Sequence, residues 1–166
     1  SIINFVGFNE NGFSSNKNPV IITDIFKNGT LFDNLSDLTN TQKMINLIGI
    51  AFGMNHIHKH GIIHCGLSCS SILLDDNMHP KIADFNDAIF DHGCSNFHSL
   101  PLCFIAPEFI HGSKPYSFPV DVFSYGMLFF QVISGEEPMI DHTSKDDFFI
   151  KINRGELPDL AEIPTR

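Results

Sequence analysis

The segment from Val120 to Ile133 constrains the fold of this chain more than any other part of its sequence. It is strongly apolar, Pro119 precedes it and Ser134-Gly135 follows it. Because proline is favoured in the first turn of a helix and glycine just after the last, the segment predicts a helix of about four turns. A helix that is apolar on all sides must be surrounded by other elements. We therefore predict a buried central helix.

A second helix is predicted from Thr41, a suitable N-cap residue, to about Gly61. Within it, Gly49 and Gly53 lie one helical turn apart, which indicates close packing against another element rather than a membrane dimer. Its apolar residues recur at spacings of three and four, a pattern typical of a helix with one buried face. These residues are Met44, Leu47, Ile48, Ala51, Phe52 and Met54.

Short apolar runs rich in β-branched residues predict two pairs of strands. In the first pair, Ile2 to Phe8 is followed by Val20 to Ile25. In the second pair, the polar turn Asp75 to Pro80 joins Ile72 to Leu74 with Lys81 to Ala83, which predicts a hairpin.

Two later segments differ from these elements. From Phe85 to about Pro107, isolated apolar residues alternate with Gly, Ser, His and Asn, which predicts a long loop that is either functional or disordered. Asp146 to Asn153 is amphipathic and predicts a short helix that brings Phe148, Phe149 and Ile152 together.

The composition favours one folded domain. The chain has 166 residues, of which 43% are hydrophobic and 17% are charged, so burial can offset the entropy of folding. Its 10 Lys and Arg against 19 Asp and Glu give a formal net charge of −9, which disfavours binding to nucleic acid. No apolar run approaches the length of about 18 residues that a membrane-spanning helix needs, so we expect no membrane association.

The first residue and the cysteines bear on the cellular compartment. The chain begins with Ser1 and has no signal-peptide pattern, so we expect it to start within a longer reading frame. Cysteines stand at positions 65, 69, 94 and 103. Without a secretory signal, these thiols are expected to be reduced and the protein to be cytoplasmic.

Four motifs occur in a fixed order along the chain. They are His64-Cys65-Gly66-Leu67-Ser68-Cys69-Ser70-Ser71, Asp84-Phe85-Asn86, Ala106-Pro107-Glu108 and Asp121-Val122-Phe123-Ser124-Tyr125-Gly126. They resemble the catalytic loop, the metal-binding motif, the end of the activation segment and the start of the central helix of eukaryotic protein kinases. The resemblance covers nearly the whole chain, from Ile2 to about Pro158.

This resemblance implies an α+β protein kinase-like fold, with a mostly helical C-lobe, a short β-hairpin and an incomplete N-lobe. Residues 1–26 would be a remnant of the N-lobe and the hinge, and residues 27–166 a C-lobe truncated before its last helices. Tyr116-Ser117 and the stretch from Ser134 to Pro138 are closest to the tyrosine-kinase-like branch of the family.

The resemblance also implies a site for ATP and magnesium. Thr23 takes the gatekeeper position, Asp24 to Phe26 form the hinge, and Leu73 contacts the adenine. Asp84 takes the position of the carboxylate that binds magnesium.

Other positions imply a structural frame around this site. Asp121 takes the position of the Asp that braces the catalytic loop, and Asn86 replaces the glycine of the metal-binding motif. The family's stacked regulatory spine falls on Phe5, His64, Phe85 and Asp121.

The catalytic loop departs from the family pattern at each reactive position. The base is replaced by Gly66, the lysine that neutralises the transferred phosphate by Ser68, and the second metal ligand by Ser71. Serine is only a weak neutral ligand, so Ser71 could keep part of that role. Cys65 replaces the arginine that grips a phosphorylated activation segment, so phosphorylation of Ser95 or Ser99 is not expected to act as a switch.

These departures predict an inactive pseudokinase fragment that acts as a binding or scaffold module in signalling, with protein partners bound through the helix Asp146 to Asn153. The alternative is an ATP-dependent serine/threonine or tyrosine kinase whose missing parts lie in a longer parent chain. A nucleotide-binding pseudokinase and a relic without function are the other two interpretations.

The histidines leave one further interpretation open. Imidazole and thiolate side chains are ligands that suit zinc, and His56 and His60 lie one helical turn apart. The set that could hold the metal comprises His56, His58, His60, His64, Cys65 and Cys69. Its spacing is not that of a paired-cysteine zinc ribbon, which favours ordinary packing roles for these side chains.

Overall fold

A computed structural model describes residues 1–10, 12, 18–91, 102–110, 116–138 and 145–158. The architecture is α+β, as predicted, and consists of helices and short paired strands. The strands are β1 (Phe5–Asn9), β2 (Val20–Thr23), β3 (Ile62–Ile63), β4 (Ile72–Leu74), β5 (Pro80–Ile82) and β6 (Ile89–Phe90). The helices are α1 (Leu31–Asn34), α2 (Asn40–Lys59), α3 (Pro107–Ile110), α4 (Pro119–Ser134) and α5 (Lys145–Asn153).

Helix α4 confirms the predicted central helix. Pro119 stands at its start, and Gly135 ends it with φ 80 while donating its backbone N–H to the Gln131 carbonyl at 2.9 Å. Half of its sixteen residues are buried, among α2, the Leu102–Phe104 turn and the catalytic-loop segment, but Val122 and Phe129 are exposed, so burial on all sides was not correct. The phenolic hydroxyl of Tyr125 donates to the Leu47 carbonyl of α2 at 3.0 Å, so the two long helices are joined by a hydrogen bond as well as by apolar packing.

Helix α2 begins two residues before the predicted position. Its N-cap is Thr39, whose hydroxyl accepts from the backbone N–H of Gln42 while the Gln42 side chain accepts from the backbone N–H of Thr39. The prediction of Thr41 was wrong because only Thr39 has a glutamine three residues later to complete this capping box.

The predicted buried face of α2 was only partly correct. Leu47 and Met54 are buried, but Met44, Ile48 and Phe52 are exposed. The residues on the inner face are Asn46, Leu47, Ile50, Gly53, Met54 and Ile57. Because this helix is apolar nearly all round, the spacing rule fits more than one face, and tertiary packing selects between them.

The two glycines of α2 select the face that packs against the β4–β5 hairpin. A Cβ at Gly49 would lie 2.7 Å from the Pro80 ring, and one at Gly53 would lie 2.6 Å from Ile82 Cδ1. Close packing at these glycines is therefore confirmed. The hairpin itself is also confirmed, with Ile72 opposite Ile82 and Leu74 opposite Pro80.

The remaining strands form small pairs. As predicted, β1 and β2 pair, and the structure shows that they are antiparallel, with Phe8 opposite Ile21. The predicted loop after Phe85 contains β6, which pairs with β3, so regular structure continues further than the sequence pattern indicates. Residues 92–101 of that loop, which include Cys94, Ser95 and Ser99, lie outside the described residues, whereas its last part contains a short helical turn at Leu102–Phe104.

Helix α5 begins one residue before the predicted start, and its Phe148 and Ile152 side chains are buried in the main core. The Phe149 side chain lies outside the described part of the structure. None of the helices among the described residues combines the length and the apolar character needed to cross a bilayer.

The glycine contacts of α2 give a first prediction. Gly49→Ala should lower the free energy of unfolding by ~1–3 kcal/mol relative to Gly126→Ala, because the added methyl group meets the rigid Pro80 ring. Gly126 is the matched control, since it lies inside α4 with open space at its Cβ, where alanine should gain up to ~1 kcal/mol. Urea unfolding followed by circular dichroism measures both. Equal stability of the two variants would show that α2 and the hairpin are not in tight contact.

Candidate functional site

Asp121, in the first turn of α4, holds the catalytic-loop segment through its backbone. One carboxylate oxygen accepts from the backbone N–H of His64 at 2.8 Å, and the other accepts from that of Cys65 at 2.9 Å. The His58 side chain lies 2.8 Å from the first of these oxygens. Asp121 is only 1% exposed, so these contacts compensate the burial of its charge. The predicted brace is confirmed.

His64 is held in one tautomer. The backbone N–H of Gly66 donates to Nδ1 at 3.1 Å, so Nε2 carries the hydrogen and donates to the Ala83 carbonyl at 2.8 Å. Burial lowers the pKa of this imidazole below its usual value. His64 is therefore a neutral, buried link between the loop and the residue before Asp84.

The His64 ring also contacts Phe85, with 4.8 Å between the ring centroids. This pair and Asp121 form the predicted frame behind the site. Phe5, placed in the same stack from the sequence, is instead 63% exposed on β1, so that part of the prediction was wrong.

Gly66 lies beside Asp84 and has room for a side chain. A Cβ there would be 3.5 Å from the His64 ring and 3.7 Å from the Asp84 carbonyl oxygen, which are ordinary contacts. Its φ is not in the left-handed region, which is occupied here by Cys65 at φ 59. The backbone conformation therefore does not require glycine at position 66. Glycine leaves this position without a side chain that could accept a proton.

Ser71 holds the loop together and is not placed as a metal ligand. Its hydroxyl donates to the Ser68 carbonyl at 2.9 Å and accepts from the Ser68 backbone N–H at 2.9 Å. Ser68 and Ser71 are both buried. The idea that Ser71 keeps part of a ligand role is not supported, because its hydrogen and a lone pair are used within the loop.

Asp84 is exposed at the end of the β4–β5 hairpin, in a left-handed backbone conformation with φ 59. The Asn86 side-chain amide donates a hydrogen bond to Oδ1 of this carboxylate. Among the described residues, no three His, Cys, Asp or Glu side chains come together in a way that could hold a metal ion. A single carboxylate with one oxygen already engaged does not form a magnesium site by itself.

The residues predicted to contact adenine lie on two connected elements. Thr23 and Asp24 are exposed at the end of β2, and Phe26 is half-buried. After this segment, the backbone N–H of Leu74 donates to the Gly29 carbonyl at 3.0 Å, which attaches the hinge region to the strand that carries Leu73. Contacts of these side chains with a nucleotide stay a prediction.

The zinc interpretation is not supported by the described residues. His58 and His64 are engaged as above, and Nδ1–H of His60 donates to the His56 carbonyl at 2.8 Å. Cys65 and Cys69 are buried, which raises the pKa of both thiols to about 12, and no three metal-ligating side chains come together within the described part of the chain.

Two features of the site were not found from the sequence. The first is the contact of Asn86 with Asp84, and the second is the pairing of His58 with Asp121, beside which the His58 ring makes a tilted contact with Phe118, with 4.8 Å between the ring centroids. The sequence signal for the first contact was an amide side chain two residues after a carboxylate. No local signal marks the second, because its partners are 63 positions apart.

Comparison with known proteins agrees with this geometry. The family model for the protein kinase domain matches residues 1–164. The chain is 29% identical over 164 residues to the RAF proto-oncogene serine/threonine-protein kinase of Xenopus laevis, which covers 92% of this chain and 26% of that protein. It is 34% identical over 134 residues to a probable serine/threonine-protein kinase of Dictyostelium discoideum, which covers 74% and 13% respectively. The chain thus spans only a small part of the length of these curated relatives.

The buried imidazole of His64 predicts a pH dependence of stability. Because its pKa is lowered in the folded state, protons bind preferentially to the unfolded chain below the ordinary value of about 6.5, and stability falls as the pH decreases through that range. This group contributes a slope of up to ~1.4 kcal/mol per pH unit. Urea unfolding of the wild type and of His64→Phe between about pH 7.5 and 5 should show a smaller slope for the variant. Equal slopes would contradict the assignment.

The hydrogen bond from Asn86 occupies Oδ1 of Asp84, so it should weaken the binding of a divalent cation to this single carboxylate. Asn86→Ala frees Oδ1 and should raise the affinity for Mn²⁺ by up to about fivefold, since exposed contacts with a charge contribute up to ~1 kcal/mol. Mn²⁺ binding is measured by electron paramagnetic resonance, with Asp84→Ala as the variant that should bind least. Weaker binding by Asn86→Ala would instead make the amide oxygen a ligand.

Proposed function

Because this chain belongs to the protein kinase domain family, we propose that it is a kinase-like domain that has lost phosphoryl transfer and acts as a protein-binding module. The observation that carries this proposal is the contrast at the catalytic loop. Asp121 holds the backbone of His64 and Cys65 in place, whereas the next position, Gly66, has no side chain to accept a proton. The contacts that hold the loop backbone are present, whereas the side chain that would accept the proton is replaced by glycine.

In a kinase, the groups that are replaced here supply most of the rate enhancement. A positioned base contributes about 10²–10⁴-fold to such reactions, and kinases stabilise the transferred phosphoryl group mainly by positive charge. Ser68 and Ser71 are neutral and buried, so neither can supply that charge. Asp84 is the one carboxylate predicted for metal binding, and the Asn86 amide engages it.

An ATP-dependent serine/threonine kinase is the second candidate. Both relatives are named as kinases of that class, and Asp84 keeps an exposed carboxylate in the position that binds magnesium. ATP and magnesium would then be cofactors, with Thr23, Asp24, Phe26 and Leu73 around the adenine. We also propose that the chain belongs to the tyrosine-kinase-like branch, that it is cytoplasmic and that it acts in signalling.

We restrict the proposed partner binding through α5 to the side chains that are exposed. Phe148 and Ile152 belong to the core, and Ile150 is exposed on the described part of this helix. A partner would therefore meet Ile150 and the segment that follows, including the exposed Leu157.

A phosphotransfer assay tests the loss of activity. Wild type, Asp84→Ala and Gly66→Asp are incubated with γ-³²P-ATP, magnesium and myelin basic protein, and incorporation is measured. We expect the wild type to match Asp84→Ala, because both lack a complete set of reactive groups. Incorporation by the wild type above that of Asp84→Ala would overturn the proposal in favour of the kinase. Gly66→Asp is the comparison variant with a carboxylate at position 66, and it should fold because a Cβ has room there.

A further inference from the structure

A cavity of about 480 Å³ is formed by α1, the start of α2 and the end of α4, and is named here the α1–α4 cavity. The candidate site residues His64, Gly66 and Asp84 do not line it. Small-molecule sites in proteins typically have volumes of about 300–1,000 Å³, so its size is sufficient for such a ligand. The lining residues that bear on its chemistry are Phe32, Leu35, Lys43, Gln131, Glu136 and Glu137.

Gln131 brings an unpaired amide to this cavity. Its side chain is only 4% exposed, and it makes no hydrogen bond with any of the described residues. The amide is not fully enclosed, because the one enclosed side-chain polar atom without a partner in the described part of the chain is Oδ1 of Asn46. The small open part of Gln131 therefore includes its amide, and it opens into the cavity that this residue lines. A nearly buried amide without a partner is a group that a ligand can satisfy.

Charges of both signs line the α1–α4 cavity. Lys43 lies near the start of α2, and Glu136 and Glu137 follow the glycine that ends α4. No ion pair within the described residues involves any of these three side chains. A cation and two carboxylates therefore face one cavity without being paired with each other, which suits a ligand that carries both charges.

The turn that carries the two carboxylates is fixed by hydrogen bonds. The Ser134 hydroxyl accepts from the backbone N–H of Glu136 at 3.1 Å and donates to the Phe130 carbonyl at 2.8 Å. The Cys103 thiol donates to Oε1 of Glu137 at 3.9 Å. Burial, with the charge of Glu137, raises the pKa of Cys103 to about 12, so the thiol keeps the hydrogen that it donates. The turn is thus in place before a ligand binds.

The cavity also has an apolar part, which comes from α1 and the residue after it. Leu35 is buried in the main core, and the Phe32 side chain is 53% exposed. An apolar group of a ligand would remove part of the Phe32 ring from water. The cavity thus offers an apolar surface, an unpaired amide and two signs of charge.

We propose that the α1–α4 cavity binds a zwitterion with an apolar side chain, either a free α-amino acid or a short peptide with free ends. The carboxylate of the ligand pairs with Lys43, and its ammonium group pairs with Glu136 or Glu137. The Gln131 amide, which both donates and accepts, bonds to the same polar groups. The apolar side chain covers Phe32. A purely anionic ligand is repelled by the two carboxylates, and a purely cationic one leaves Lys43 unpaired.

The first test uses the ¹⁵N-labelled 166-residue chain and three probes that share one side chain. L-leucine carries both charges, N-acetyl-L-leucine only the carboxylate, and L-leucinamide only the ammonium group. Titrations followed by heteronuclear NMR should show about fivefold tighter binding of leucine than of either other probe, which is the upper range for one exposed ion pair. The dipeptide leucyl-leucine distinguishes the two sources of the ligand. If it binds more tightly than leucine, the ligand is a peptide with free ends.

The second test uses variants of the cavity. Gln131→Met keeps a side chain of similar size without the amide, so it should weaken leucine binding by about tenfold. Lys43→Gln should weaken leucine binding by about fivefold and leave leucinamide binding unchanged. Lys59→Gln is the matched control, because Lys59 is an exposed lysine of the same helix that does not line the cavity. It should bind leucine like the wild type.

Three results would overturn the inference. These are binding of none of the probes, leucinamide or N-acetyl-leucine binding as tightly as leucine, and unchanged leucine binding by Gln131→Met. Circular dichroism confirms that each variant is folded. The inference goes beyond the proposed function and does not depend on it, since phosphotransfer by the wild type would overturn that function and leave the leucine titrations unaffected.

Discussion

The buried carboxylate of Asp121 is the interaction on which the rest of the site depends. It accepts two backbone N–H groups of the catalytic loop and contacts His58, and it does so from the first turn of the central helix. A buried charge is tolerated only where its oxygens are bonded, so the loop and α4 must be assembled together. His64 then extends this arrangement to Ala83, which places Asp84 and Gly66 side by side.

The contacts that shape the catalytic loop are distinct from the groups that would carry out the reaction. The contacts that shape the loop use backbone groups, a buried imidazole and the Ser71 hydroxyl, and none of them needs a reactive side chain at position 66. Phosphoryl transfer, by contrast, depends on charge and on a proton acceptor at that position. The contacts that hold the loop are therefore independent of the side chain at position 66, and the proposed loss of phosphoryl transfer is compatible with this loop geometry.

Helix α2 links this frame to the exterior. Its glycines let the β4–β5 hairpin come close on one side, and that hairpin ends at Asp84. The same packing turns the row from Met44 to Phe52 away from the core. One helix thus supports the candidate site with its inner face and presents an apolar, acid-free surface with its outer face.

The sequence by itself determined the central helix, the close packing at the glycines, the pairing of β1 with β2, the β4–β5 hairpin and the replaced reactive residues, because proline, glycine and β-branched residues act locally and motif spacing is linear. It did not determine which face of α2 is buried, since an apolar helix fits several orientations and only contact with Pro80 and Ile82 selects one. Nor could it show that Ser71 holds the loop or that His58 pairs with Asp121. Those roles were decided by the tertiary structure, because they depend on burial and on partners brought together from distant parts of the chain.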